Sequence, residues 1–423
     1  MTNKTAESHA AENRADAAVE QSMHAPATTQ ATRRLLQLDF LRGIAILLVL
    51  GAHQLGLPSG KLRLVAGLLG RFGWSGVDLF FVLSGFLVGG LICRELVTKQ
   101  SFDAPRFMVR RAFKIWPSYY LYLLVAAGII FYQDRPNFAH HLVAVFVPAF
   151  FNYQNLSYSF YEGIGHIWPP MGMTWSLAIE EHFYILLPLI CLLLLKSKSP
   201  TRALQLIAQG CFACIITCTV LRFILLWNKP FNFYMNVWPT YLRIDGLSFG
   251  VFLAYLYHAQ PDRWNSLKKY RHGMLAASFF LLLPMVLYSH EKSRFVYTLG
   301  YTFVYLGYGG LLVVLMQTTV GQGRLGSLIG SPLGRMVAVT GRASYSIYLW
   351  QLLLAGKLLN HFSYLIPFKS NPTLHWLLAT SLLVLLSIFE GILIARLVEV
   401  PTLLIRDRLF PGRAKAIKTV NAS

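Results

Sequence analysis

The hydrophobic positions of this chain fall into long apolar runs that recur from Leu41 to Leu397, separated by shorter polar gaps. Each run has roughly 16 to 25 residues, the length that a helix needs to cross the hydrocarbon core of a bilayer. The pattern therefore predicts an all-α, polytopic integral membrane bundle of about ten transmembrane helices. The predicted spans are Phe40–Leu57, Trp74–Cys93, Trp116–Tyr132, Ser176–Leu195, Ala203–Trp227, Tyr241–His258, Gly273–Tyr288, Val296–Thr318, Met336–Leu359 and Leu374–Val398.

The segments outside these spans are short or polar. The apolar run Leu142–Phe151 is too brief to cross a membrane, so we expect a re-entrant or interfacial segment. Residues 1–33 are polar, contain no secretory apolar core and predict a disordered cytoplasmic tail. We expect one membrane domain over residues 34–410, followed by a basic cytoplasmic tail over residues 411–423.

Composition and charge support a membrane protein. Of the 423 residues, 55% are hydrophobic and 13% are charged, which excludes ordinary soluble composition. The net charge of +20 lies in the gaps between spans rather than in one patch, so it indicates topology and no nucleic-acid partner. If both termini are cytoplasmic, the gaps that face the cytoplasm contain most of the lysines and arginines, as the positive-inside rule requires. The main exception is the first outer loop, which is also basic. The cysteines lie inside apolar runs, so neither a disulfide framework nor a metal site is expected.

The first span carries a cation and an imidazole, Arg42 and His53, eleven positions apart. At 1.5 Å rise per residue they lie ~16 Å apart and on one side of the helix. Arg42 is expected near the cytoplasmic end and His53 nearer the outer side, both directed into the bundle. The alternative is an arginine that snorkels to the headgroups and a histidine bound to a neighbouring carbonyl.

Three acids are expected level with His53. Asp78 begins the second span and could orient the imidazole, or it could serve only as a favourable charge at a helix N-terminus. Glu180 and Glu181 begin the fourth span, where their side chains point about 100° apart, so one can face the interior while the other faces elsewhere.

Other polar residues at the spans have simpler explanations. Arg243 and Asp245 predict a structural ion pair at a helix end. Gly85 and Gly89 predict a close helix contact, because small residues let backbones approach.

A basic cluster precedes the third span on the cytoplasmic side. Arg110, Arg111 and Lys114 have helical spacing, so they predict one cationic face suited to the phosphates of a donor such as acetyl-CoA. Topology together with anionic lipid explains the same cluster, and the two interpretations stay open here.

These motifs, taken together and in order, resemble the membrane acyltransferase-3 family, which includes bacterial O-acetyltransferases of O-antigen, exopolysaccharide and nodulation-factor glycans. The resemblance covers about residues 35–409. The segments that carry it are Arg42 to His53, Gly76 to Phe86, Arg111 to Lys114, Thr174 to Glu181, Ser344 to Trp350 and Glu399 to Pro401.

The chain departs from the family pattern at two positions. Lys114 stands where the family usually has a second arginine, and Gln351 stands where many relatives have histidine. A soluble esterase-like extension is not expected, since the chain stops soon after Pro411.

The resemblance implies an acyltransferase of the inner (plasma) membrane, with acetyl-CoA as donor and a hydroxyl of a glycan or lipid-linked sugar as acceptor, such as lipopolysaccharide or another polysaccharide. The phosphates of acetyl-CoA would bind to Arg42, Arg110, Arg111 and Lys114. His53 would act as general base or transient acyl carrier, oriented by Asp78, Glu180 or Glu181. The alternative is a transporter whose intramembrane charges form a solute path; a structural membrane protein would leave these charges unexplained.

Overall fold

The computed structural model describes residues 35–53, 58, 62–157, 160–162, 171–288, 292–353 and 371–410. All regular secondary structure in these ranges is helical, as the apolar runs predict. The longer helices are α1 (Leu36–Ala52), α2 (Leu62–Gly73), α3 (Gly76–Lys99), α4 (Ala104–Gln133), α5 (Trp175–Leu195), α6 (Pro200–Leu226), α7 (Asp245–Ala259), α8 (Arg271–Leu287), α9 (Tyr301–Met316), α10 (Pro332–Arg342), α11 (Pro372–Ile394) and α12 (Val400–Leu409). Shorter helical segments are Arg135–Asn137, Phe138–His141, Leu142–Phe146, Val147–Phe150, Gln154–Leu156, Met171–Thr174, Phe233–Asn236, Thr240–Arg243, Pro261–Ser266, Leu267–Tyr270, Val296–Gly300, Gly323–Gly330, Ser344–Trp350 and Ala395–Glu399.

Among the described residues, 7 stretches of one or more successive helical segments are long and apolar enough to cross a membrane. They are Leu62–Lys99, Ala104–Gln133, Met171–Leu195, Pro200–Leu226, Pro261–Leu287, Val296–Met316 and Pro372–Leu409. Two further predicted spans correspond to α1, with 17 residues, and α7, with 15. The span predicted over Met336–Leu359 is interrupted after α10 and runs into residues that the structure does not describe. The count of about ten spans and the cytoplasmic termini therefore stay predictions.

Residues 36–410 form one compact unit. The predicted tails, residues 1–33 and 411–423, lie outside the described residues. The apolar run Leu142–Phe151, which was expected to be too short to cross the membrane, forms consecutive short helical segments beside α4. The Tyr119 hydroxyl donates a 2.8 Å hydrogen bond to the Ala149 carbonyl there, and Tyr120 donates to Phe150 at 3.2 Å.

The close contact expected at Gly85 and Gly89 is confirmed, and it joins α3 to α7. A Cβ atom at Gly85 would collide with the backbone of Leu247, and one at Gly250 would collide with the backbone of Val82. Because backbone cannot rotate away as a side chain can, only glycine allows this approach. The contact fixes α3, which carries Asp78, against α7, which begins two residues after Arg243.

A second close crossing positions Arg42. Gly43 of α1 lies against the Val337 carbonyl of α10, and Gly341 of α10 lies against the Asp39 carbonyl of α1. These two glycines leave no room for a side chain between the helices. Arg42 is therefore directed to a different side of α1 from the crossing.

Candidate active site

Four of the residues selected from the sequence line one cavity, which we call the cationic cavity. Arg42 of α1, Arg111 and Lys114 of α4 and Glu180 of α5 are the charged residues of its lining. The space between its lining residues, part of it open to solvent, is about 710 Å³. Helices α1, α4 and α5 bring these charges together from three separate parts of the chain.

A network of polar contacts holds Glu180 in the cationic cavity. The Tyr184 hydroxyl donates a 2.6 Å hydrogen bond to Glu180 Oε2 and also hydrogen-bonds with the Ser84 hydroxyl of α3. The Arg111 guanidinium lies 5.4 Å from the centre of the Tyr184 ring. Both Arg42 and Arg111 interact electrostatically with the Glu180 carboxylate. The three cations outnumber this carboxylate, so the cavity suits an anionic group.

His53 lines a different cavity, which we call the histidine cavity, with a volume of about 1270 Å³. Its lining is largely aromatic, and Arg243 is its only arginine or lysine among the described residues. The aromatic lining residues are Trp74, Trp175, Tyr234, Trp238, Tyr301 and Tyr348. Val77 and Tyr348 line both this cavity and the cationic cavity, so the two are separated by a wall that these side chains share.

Tyr348 is held in this wall by its hydroxyl. The hydroxyl donates a 3.0 Å hydrogen bond to the Met173 carbonyl and lies 2.7 Å from the Ser176 hydroxyl. The neighbouring Ser346 donates to the Glu399 carboxylate, which joins the motif Ser344 to Trp350 to the motif Glu399 to Pro401. These two motifs near the C-terminal end thus support the wall between the cavities.

The environment of His53 indicates its tautomer. Its Nδ1 lies 2.8 Å from the Val49 carbonyl oxygen. Because a carbonyl oxygen only accepts, Nδ1 carries the proton and donates. In the neutral ring, Nε2 then keeps its lone pair and can accept a proton or attack an acyl carbon.

The structure corrects the partners expected for Asp78. Asp78 Oδ1 accepts a 2.7 Å hydrogen bond from Arg243 Nη2, whereas the partner found for the His53 ring is the Val49 carbonyl. Asp78 is therefore positioned to orient an arginine rather than the imidazole. This pairing could not be predicted from the sequence, because Asp78 and Arg243 lie on separate helices.

The ion pair expected within one helix end is also wrong. Asp245 pairs with Arg222 of α6 at 2.7 Å, so Arg243 and Asp245 each bind a partner from another helix. Arg222 was missed by the sequence reasoning, although an arginine inside a predicted span was a usable signal. It is fully buried.

Two of the predicted site residues face away from the cavities. The Arg110 guanidinium donates to the Phe410 carbonyl at 2.8 Å and lies 3.2 Å from Asp407, beside α12. Glu181 accepts a long hydrogen bond of 3.4 Å from the Trp116 indole and lines neither cavity. Glu180, not Glu181, is thus the acid that faces the cavity.

A further groove adjoins the histidine cavity, and we call it the aromatic groove. Tyr234 and Trp238 line both. Its other polar lining residues include Asn155, Asn232 and Lys229. In the part of the chain that the structure describes, no group of three or more His, Cys, Asp or Glu residues could hold a metal ion.

Comparison with known proteins gives the same family as the motifs. The acyltransferase domain of the acyltransferase-3 family matches residues 35–393. The chain is 26% identical over 341 residues to "Peptidoglycan O-acetyltransferase OatA" of Listeria monocytogenes, covering 76% of this chain and 50% of the relative. It is 26% identical over 321 residues to "Putative O-acetyltransferase SACOL0978" of Staphylococcus aureus (strain COL), covering 74% of this chain and 49% of the relative.

The chain thus spans about half the length of the curated relatives that it matches. No solved structure matches it significantly. The family match covers most of the chain and includes the helices that line both cavities. This chain belongs to the acyltransferase-3 family.

Proposed function

We propose that this protein is a multi-pass enzyme of the inner (plasma) membrane that transfers an acetyl group from acetyl-CoA to a hydroxyl of a glycan or lipid-linked sugar. The observation that carries the proposal is the adjacency of a cationic cavity, lined by Arg42 of α1, and a histidine cavity, lined by His53 directly after α1. An acyl-CoA has an anionic phosphate end and a reactive thioester end, so the two cavities match its two ends.

Arg42, Arg111 and Lys114 would hold the phosphates of the donor. Guanidinium groups form bidentate hydrogen bonds with phosphate oxygens, while the lysine adds a point charge. Arg110 lies outside the cavity lining, so in this proposal it contributes to the contact with α12 instead.

His53 would take the proton of the acceptor hydroxyl on Nε2, or would briefly carry the acyl group on the same atom. The Val49 carbonyl keeps Nδ1 protonated, which leaves Nε2 available for either role. Both alternatives require the thioester to reach His53 past Val77 and Tyr348.

The acceptor would reach His53 through the aromatic groove. Sugars bind to aromatic faces through their C–H surfaces and to amide side chains through their hydroxyls. Tyr234, Trp238, Asn155 and Asn232 provide both types of group. The Listeria relative is named for O-acetylation of peptidoglycan, which makes peptidoglycan fragments a suitable first acceptor to test.

The test compares wild type, His53→Ala and His258→Ala in nanodiscs with labelled acetyl-CoA and peptidoglycan fragments. His258 is a matched control, because it is another histidine of the bundle, within α7, but lines none of the cavities described above. CoA release and label on the glycan are expected from wild type and His258→Ala, with a loss of about 10²–10⁴-fold in His53→Ala. Normal turnover by His53→Ala would contradict the proposal, and solute flux without CoA release would favour a transporter.

A further inference from the structure

Two buried Arg–Asp pairs lie close together in the bundle, and they differ in how their arginines are satisfied. Arg222 binds Asp245, and Arg243 binds Asp78, each at 2.7 Å. All four side chains are at most 3% exposed. Buried pairs of this kind are costly to desolvate, so each arginine needs acceptors for its remaining N–H groups.

Arg222 finds all of these acceptors within the protein. Its Nε donates to the Thr298 carbonyl at 3.0 Å, and its Nη1 donates to the Leu242 carbonyl at 2.5 Å. Its Nη2 donates to Asp245 at 2.7 Å and to the Thr302 hydroxyl at 2.8 Å. Each nitrogen of this guanidinium is therefore engaged, as expected for an arginine that holds helices together.

Arg243 does not. Its Nη2 binds Asp78, but its Nε and Nη1 are buried without a hydrogen-bond partner among the described residues. The guanidinium lies 3.7 Å from the centre of the Tyr301 ring, and the Tyr301 hydroxyl likewise lacks a partner in the described part of the chain. Arg243 and Tyr301 both line the histidine cavity with His53.

An unsatisfied buried donor destabilises the folded protein, and more so when it is charged. Arg243 and Tyr301 bear this cost together, in the cavity that His53 also lines and that has no other arginine or lysine among its described lining residues. Unfilled donors at a reaction site are typical of groups whose acceptor forms only during the reaction.

Resting on the proposed acyl transfer, we propose that Arg243 and Tyr301 donate hydrogen bonds to the carbonyl oxygen of the acyl group and stabilise the oxyanion of the transition state. Asp78 is the positioning residue that fixes Arg243 for this role. Arg243 touches the reacting oxygen, and Asp78 acts only through Arg243.

Direct transfer passes through a tetrahedral oxyanion. The acceptor oxygen forms a bond to the carbonyl carbon while its proton passes to His53 Nε2, and the carbonyl π electrons move onto the oxygen held by Arg243 and Tyr301. When the oxyanion collapses, the C–S bond breaks, and the leaving sulfur takes the proton from His53. The products are an ester and the thiol of CoA. With water as acceptor the products are acetate and the same thiol.

The test measures CoA release by nanodisc-embedded protein with either water or peptidoglycan fragments as acceptor. The main variant is Arg243→Gln with Asp78→Asn, which removes both charges at once and leaves no unpaired carboxylate. Tyr301→Phe is the milder variant, because it keeps the ring under the guanidinium. The matched control is Arg222→Gln with Asp245→Asn, which removes the fully satisfied pair of the same region.

We expect both test variants to lose about 10²–10³-fold in kcat with either acceptor, while the affinity for acetyl-CoA and the melting temperature stay near those of wild type. The control is expected to lower the melting temperature and to keep kcat per folded molecule within a few-fold. If the double variant does not fold, the kcat of Tyr301→Phe alone tests the inference.

Wild-type kcat in Tyr301→Phe and in the folded double variant would overturn the inference. So would a loss confined to glycan affinity, with unchanged CoA release to water, since that would assign Arg243 to an anionic group of the acceptor. A wild-type protein that releases no CoA with either acceptor would instead overturn the proposed function itself.

Discussion

The cationic cavity and the histidine cavity are neighbours with opposite chemistry. The first has three cations around one carboxylate and a small polar network, while the second is lined by aromatic rings around one histidine and one arginine. Charged linings are suited to holding phosphates, whereas an apolar lining excludes water and strengthens each polar interaction inside it. The difference indicates a division between a region that binds the donor and a region that performs the chemistry.

The largest effect is expected from a bulkier side chain in the wall between the two cavities. Val77→Trp places an indole where the two cavities meet and should reduce acyl transfer by about 10²-fold or more, because small displacements of reacting groups have effects of that size. Acetyl-CoA affinity should change much less, since the cations are untouched. Val97→Trp is the control, because Val97 lies on the same helix and is 41% exposed. Equal loss in both variants would show that an added indole on α3 is harmful in itself.

The donor side can be tested with two adjacent arginines. Arg111→Ala should raise the KM for acetyl-CoA about 10–100-fold, the effect of losing one or two hydrogen bonds to a charged group. Arg110→Ala should leave this KM nearly unchanged, because its guanidinium faces Asp407 and the Phe410 carbonyl. Titration with acetyl-CoA at saturating acceptor measures both. A larger effect at Arg110 would place the phosphates on the other side of α4.

The acceptor side should show the smallest effect. Trp238→Ala should weaken glycan binding about 2–10-fold, the contribution of one aromatic contact, and should leave CoA release to water unchanged. Trp227→Ala is the control, because that indole stacks on Phe223 and lies outside the groove lining. Equal weakening by both variants would argue against the aromatic groove as the path of the acceptor.

Much of the architecture could be predicted from the sequence because apolar length and small-residue spacing are local properties. The helices of the membrane region and the Gly85 contact are of this type. The partners of Asp78 and Arg243 are not, because which helices become neighbours is decided by packing between segments far apart in the chain. The sequence could offer Glu180 and Glu181 only as equals, since their roles depend on the rotation of α5 within the bundle.

The same limit applies to the basic cluster. Arg110, Arg111 and Lys114 have the spacing of one face, yet α12 attracts Arg110 away from the other two. Local periodicity places the charges on the helix, and the C-terminal helix decides which of them reach the cavity. The positions of the predicted site residues could thus be partly predicted from the sequence, whereas their interaction partners could be identified only from the structure.

The glycine contact between α3 and α7 has a consequence for mutational screening. Gly85 and Gly250 lie in the contact between backbones and line none of the cavities. Any side chain there would separate α3, which carries Asp78, from α7, which follows Arg243 in the chain. In a saturation library scored by glycan modification, these two glycines would appear as intolerant as His53. Only a parallel measure of folded protein in the membrane would separate positions that build the site from positions that react.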